Sequence, residues 1–312
     1  MPNATKPFAM PVLDLAVEAS SLARGQANIE IKGVVEKVRH FEHATVTTIE
    51  VNTPEGAEQM RKPMGSYITI ESPDMGLDKE LLSPISGILA ERLQSLLPEH
   101  KKETILLIGL GNRQATPDSL GPMTINFLMP TRHLFQYMPE AISENELSSI
   151  CTVCPSVLGM TGIETAEIIK GIVSYVKPAC LLVIDALAAA SLSRISTTIQ
   201  ISDTGINPGS GVGNHRNAIN KESMGVPVIA IGVPTVVHAA TIMQESLKEF
   251  SQAIQLSPSV NWQNARDTML DHMLSPFNGN LVVTPKDIDQ LNFNTAKILA
   301  AGLTRAFYLY NY

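Results

Sequence analysis

Three short apolar runs, each with a glycine or an aspartate at or next to its end, constrain this chain most. They are TILLIGL (104–110), CLLVID (180–185) and VPVIAIGV (226–233). Such runs are too short for buried helices and too uniformly apolar for half-exposed strands, so they predict strands covered on both faces. Helical patterns alternate with them. ETAEIIKGIVSYV (164–176) places Ile168, Ile169, Ile172, Val173 and Val176 on one face and stops before Pro178. A helix over 84–98 is predicted from Ile85, Ile88, Leu89, Leu93, Leu96 and Leu97. Further elements are a helix at 186–193, a strand at TTIQIS (197–202), a helix at 235–250 and a strand at NLVVT (280–284). Thr284-Pro285-Lys286-Asp287 reads as the start of a last helix reaching about Phe307, with Thr as N-cap and Pro in the first turn. The expected fold is α/β, a mainly parallel sheet with helices on both faces.

Upstream the pattern differs. DLAVEASSLAR (14–24) has short helical periodicity, 28–52 holds two β-rich runs, and SYITIES (66–72) is a third. These predict a helix and a small antiparallel addition. The expected division is a Pro-rich tail at 1–14, a helix and β-rich addition at 15–79, and the α/β domain at 80–312. Residues 251–279 are the least patterned.

Composition narrows the function classes. With 44% hydrophobic and 17% charged residues the chain is globular, and 312 residues suffice for a large core. A net charge of −7 lacks the basic footprint of a nucleic-acid binder and suits a basic protein partner better. Three cysteines, Cys151, Cys154 and Cys180, form no disulfide framework and suggest a reducing, cytoplasmic compartment. No apolar run is long enough to span a membrane, and the opening MPNATKPFAMPVLD does not read as a secretory signal.

In open parallel sheets, ligands bind beyond the carboxyl ends of the strands. Run 104–110 leads into GNRQATPDSLGP and Asp118, and run 180–184 leads directly to Asp185, so both carboxylates belong to one rim. Two neighbouring carboxyls can share a proton, one then acting as base and the other as acid. Each also suits a helix N-cap, the commoner role for an acid in this position. The loop DTGINPGSGVGN (203–214) offers Gly205, Gly209, Gly211 and Gly213 for close approach of an anion or a peptide backbone. It lacks the Lys-Ser/Thr of a phosphate-binding loop, and a plain turn region is the alternative.

Other motifs carry less. Asp203-Thr204-Gly205 matches a triplet of all-β aspartic proteases, but stands here in an α/β pattern. Gly109-Leu110-Gly111 has Gln114 where a dinucleotide fingerprint needs its third glycine. Cys151 and Cys154 have redox spacing without a second pair, and read as inert thiols. His40 and His43 face opposite sides of a strand, and His133 and His238 fall on predicted helices. Ser119 and Ser191 lie in no nucleophile elbow. Arg132 and Arg194 are candidate counter-charges for the acids.

The blocks GLGN…TPDSLGP (109–122), TRHLF (131–135), GMTGIETAEIIKGIV (159–173), IDALAA (184–189), TTIQISDTGINPGSGVGN (197–214), GVPVIAIGVPTVV (225–237) and VVTPKDID (282–289) resemble, in order, the germination protease family of spore-forming bacteria. DLAVEA (14–19) resembles the family's start. The resemblance implies an atypical aspartic endopeptidase without a required metal or other cofactor. It would act on small acid-soluble spore proteins in the spore core, as a homotetramer, with a core similar to the hydrogenase-maturation endopeptidases. It makes Asp118 and Asp185 the catalytic pair. It also implies a zymogen that cleaves itself, and Asp14-Leu15-Ala16 fits the expected acid–apolar–Ala site, so that residues 1–14 would be removed. The sequence departs from the family at Arg113, Ala190 and His238, where an aromatic, an arginine and an aspartate are usual. The rival readings are a metal-dependent maturation-type peptidase of related fold, a paralogue that only binds the substrate proteins, and a nucleotide-binding enzyme.

Overall fold

The computed structural model describes residues 13–25, 29–97, 103–141, 147–209, 216–253, 268–270, 272–277 and 281–307. Its centre is one nine-stranded sheet: β1 (Val34–His40), β2 (Thr45–Val51), β3 (Gly65–Glu71), β4 (Ile105–Gly109), β5 (Ile150–Val153), β6 (Cys180–Ala189), β7 (Thr198–Ser202), β8 (Val228–His238) and β9 (Val282–Val283). Across the sheet the order is β1-β2-β3-β7-β8-β6-β4-β5, with β9 beside the far end of β8.

The sheet is α/β as expected, but it is mixed rather than mainly parallel. Among the described residues, the parallel pairings are those of β5 with β4, β4 with β6 and β6 with β8. β7 is antiparallel to β8, and β3 to β7, so the N-terminal meander β1–β2–β3 continues the same sheet. The physical reason lies in TTIQIS: its apolar residues Ile199 and Ile201 pair with Ile70 and Ile68 of β3 and complete the core on that side. β1 closes the edge and is exposed from Val35 to His40, with Glu36, Lys37 and Arg39 among its exposed residues, which discourages further pairing.

Two strands are longer than their apolar runs imply. The predicted helix at 186–193 is instead the second half of β6, followed by a single turn at Leu192–Arg194. The helix expected at 235–250 begins only at Ala239, because β8 continues to His238. The two strands pair from Leu181↔Val228 to Ala189↔Val237, with a register shift at Leu187/Ala188. Burial and pairing here override the helical preference of the alanines. The expected strand at 280–284 shrinks to β9. The short helix Pro54–Met60 escaped the sequence reading, although Thr53 caps it by accepting the Gly56 N–H at 3.1 Å.

Helices Leu82–Gln94 and Ile288–Phe307 pack together on one face of the sheet, burying Ile85, Leu89, Leu93, Leu299 and Leu303 in the main core. Helix Thr165–Val176 covers the other face through Ile169 and Val173. A separate cluster gathers Leu15, Val17, Ile49, Val51, Met60, Tyr67 and Leu187, fixing the start of the described chain and the helix Ala16–Arg24 against the N-terminal strands.

Candidate active site

Asp118 ends the single turn Thr116–Asp118, between β4 and helix Leu120–Asn126. The turn folds back tightly, and one Asp118 carboxylate oxygen accepts the Asn112 N–H at 2.8 Å. Gly111 permits this. Its φ is +110°, and a Cβ there would stand 2.0 Å from the Asp118 carbonyl oxygen. The loop is pinned to β6 by the Leu110 N–H donating to the Ile184 carbonyl at 2.8 Å. From the C-terminal helix, the Asn292 amide donates to the Thr116 carbonyl at 2.8 Å.

Asp185 is the residue after Ile184. It lies inside β6 rather than at the strand's end, in register with Gly232 of β8. It is buried, and its carboxyl accepts the Ala186 N–H at 2.9 Å. Burial pushes its pKa well above the usual carboxylate range; the charges of Asp118 and, more weakly, Asp14 push the same way, against the Ala186 hydrogen bond. Burial also raises Asp118, against the Asn112 N–H. Neither acid caps a helix: Asp185 is in a strand, and Asp118 bonds backward to Asn112. A carboxyl pair raised in this way holds a proton more tightly than free carboxyls do, which allows one member to act as base and the other as acid.

A third acid joins them. β6 outruns β4, whose last partner in it is Ile184. The backbone N–H groups of Ala186, Ala188 and Ala190 are therefore taken by side-chain acids: Asp185 at 2.9 Å, Asp14 at 3.0 Å and Glu18 at 2.9 Å. Asp14 thus sits within the cavity that holds Asp118 and Asp185, a cleft of about 310 Å³ bounded also by Leu158, Pro208 and Val236. An ion pair at its wall joins Arg216 and Glu164 at 3.5 Å.

The backbone around Asp14 is held on its other side. The Asp14 carbonyl accepts the Lys62 ammonium at 2.7 Å and the Gln200 amide at 3.1 Å, while the Ala16 N–H donates to the Gln200 side-chain oxygen at 2.6 Å. Leu15, between them, is fully buried. Gln200 therefore holds this segment on both sides of Leu15, which is extended and leads into the helix Ala16–Arg24.

Of the glycines singled out in the sequence, Gly209 lines the cleft that holds the acids. Gly205 lines a neighbouring pocket with Lys62, Tyr67 and Gln200. Gly211 and Gly213 lie outside the described residues. Arg194 is not a counter-charge to the aspartate pair: it binds Glu18 at 3.4 Å and Glu71. Arg132 hydrogen-bonds Gln136 at 3.3 Å. Asp203 accepts the Ser66 N–H at 2.8 Å at the start of β3. His238 is buried at the end of β8 rather than on a helix. Sequence reasoning missed Lys62, Gln200 and Glu18. The inward polar position of Gln200 within TTIQIS was the one available signal.

Known proteins resemble this chain over most of its length. The sequence profile of the germination protease family matches residues 9–257. A germination protease of Clostridium perfringens strain SM101 is 42% identical over 309 aligned residues, covering 94% of each chain. Those of Caldanaerobacter subterraneus subsp. tengcongensis and Bacillus subtilis strain 168 are 43% and 38% identical, over 94% and 95% of this chain and 93% and 92% of theirs. The chain belongs to the germination protease family.

Proposed function

We propose that the chain is an endopeptidase of spore germination, hydrolysing small acid-soluble spore proteins with Asp118 and Asp185 as its acid–base pair. The observation that carries this reading is the meeting of two carboxyls with raised pKa at one cleft, which also holds Asp14 of this same chain. One carboxylate takes a proton from water as the water attacks the peptide carbonyl, and the other delivers a proton to the departing amine. The cleft's carboxylates and the net charge of −7 suit a basic substrate.

The same reading makes the chain a zymogen. Asp14-Leu15-Ala16 is the self-cleavage site, and Asp14 occupies the substrate's place next to the acids until the bond after it is cut. Gly209 lines the same cleft and leaves room there for a substrate backbone. The working form is a homotetramer in the spore core, which sedimentation of the cleaved chain would check. A monomer at micromolar concentration would exclude it.

The test is incubation with a purified small acid-soluble spore protein, comparing wild type with Asp118→Asn and Asp185→Asn, products read by mass spectrometry. Wild type is expected to cut after an acidic residue, and both variants to fail while staying folded. A folded Asp185→Asn chain that cuts at the wild-type rate would overturn the aspartate pair.

A further inference from the structure

We infer that Lys62 and Gln200 form the oxyanion site for self-cleavage at the Asp14–Leu15 bond. This rests on the reading that this bond is the one cut. Two donors converge on one carbonyl oxygen: the Lys62 ammonium at 2.7 Å and the Gln200 amide at 3.1 Å, both on Asp14. Docking the segment needs no ammonium there, since Gln200 alone already binds both the Asp14 carbonyl and the Ala16 N–H.

The placement matches what hydrolysis requires. Water gives a proton to the ionised member of the acid pair as its oxygen bonds to the Asp14 carbonyl carbon, the C=O electron pair moves onto oxygen, and the resulting oxyanion is met by donors already in position. The carbon–nitrogen bond then breaks, the oxyanion re-forms a carbonyl, and the Leu15 nitrogen leaves with a proton supplied by the acid pair. The products are the Asp14 carboxylic acid and the Leu15 amine, so atoms and charge balance with water as the only co-reactant.

The setting strengthens the donors. Lys62 is half-buried; burial lowers its pKa, and the Asp14 and Glu18 carboxyls partly offset that, so the donor stands largely out of water beside the carbonyl. Gln200 is buried on β7, packed between β3 and β8, so its amide cannot swing away. Leu15 is fixed among Ile49, Met60, Tyr67 and Leu187, which holds the scissile bond in place.

The experiment follows self-cleavage of the full chain by intact mass, for wild type, Lys62→Met and Lys62→Arg, with amide hydrogen exchange over residues 15–20 measured in parallel. Lys62→Met is expected to slow cleavage after Asp14 by about 100-fold or more. Lys62→Arg should restore most of the rate, and exchange protection should stay at the wild-type level in both. Cleavage of Lys62→Met within ~3-fold of wild type would overturn the oxyanion role and leave the cleavage site standing. A slowdown matched by equal loss of exchange protection would also overturn it, since Lys62 would then only dock the segment. If wild type cuts elsewhere, the cleavage-site reading falls and this inference with it.

Discussion

The Asp14 carboxylate accepts the Ala188 N–H at 3.0 Å, three residues beyond Asp185 on the same strand. An acid from the start of the described chain thereby occupies a backbone donor of the candidate active site. Removing residues 1–14 would leave that donor without its acid, at the free edge of β6, where an extended peptide could bind by adding a strand.

Asp185→Asn is expected to abolish hydrolysis and stabilise the fold. General acid–base function is worth roughly 100- to 10,000-fold in rate, so activity should fall within that range or below it. The native state holds the Asp185 proton more tightly than the unfolded chain does, so wild-type stability declines as pH rises above the unfolded carboxyl's range. The amide carries no such cost. Its melting temperature should exceed wild type at pH 8, with the gain shrinking towards pH 4. An equal or lower melting temperature at pH 8 would contradict the buried-acid account.

Glu18 supplies a second pH dependence. Its pKa is pushed up to about 7 from 4.5, chiefly by burial, against the Ala190 N–H and the Arg194 charge. Because the folded value lies above the unfolded one, Glu18 favours folding less as pH climbs from about 4.5 to 7, and the loss is complete above that window. The full effect is at most on the order of 3 kcal/mol. Glu18→Gln should flatten this part of the stability curve in urea titrations between pH 4 and 8. An unchanged slope would show that Arg194 keeps Glu18 ionised throughout.

Much of the fold was legible because strands and helices declare themselves by period. TILLIGL and the 164–176 helix match their observed bounds closely, and CLLVID marks where β6 begins but not where it ends. What failed was strand length and direction. ALAA and PTVVH look helical or neutral locally, yet stay extended because β6 and β8 pair throughout. Nothing local in TTIQIS shows that β7 runs against β8, since direction is set by the connection and by the β3 partner. In the candidate site, the rim rule for parallel strands singles out Asp118 and Asp185, and both line one cleft, though Asp185 lies within β6 and not at its end. Lys62 and Gln200 were not legible, because their role exists only once residues 14, 62 and 200 meet in space.

Leu15→Ala should destabilise the docked N-terminal segment. Leu15 is fully buried among Ile49, Val51, Met60, Tyr67 and Leu187. Truncating a buried leucine typically costs about 2–5 kcal/mol. Because the cluster joins this segment to β2 and β3, the loss should appear as faster amide exchange over residues 15–24 before the sheet core opens. Self-cleavage should slow in parallel. Uniform loosening of the whole chain would instead mean that the segment and the sheet unfold as one unit.

Gly111→Ala tests whether the Asp118 turn needs its tight backbone. A Cβ at position 111 would lie 2.0 Å from the Asp118 carbonyl oxygen and 2.9 Å from its carboxylate, in a backbone region that L-residues rarely adopt. The clash falls on the loop rather than on the core strands, so the turn should open while β4 and β6 keep their pairing. The Asn112 N–H would then lose the Asp118 carboxylate, and the two acids would separate. Peptidase activity should drop by roughly 100-fold or more, since about 1 Å of misplacement can cost that much. The melting temperature should fall by only a few degrees, because strain confined to one turn costs on the order of 1–3 kcal/mol. A Gly111→Ala chain with wild-type turnover would show that Asp118 tolerates displacement, and would argue against its direct part in proton transfer.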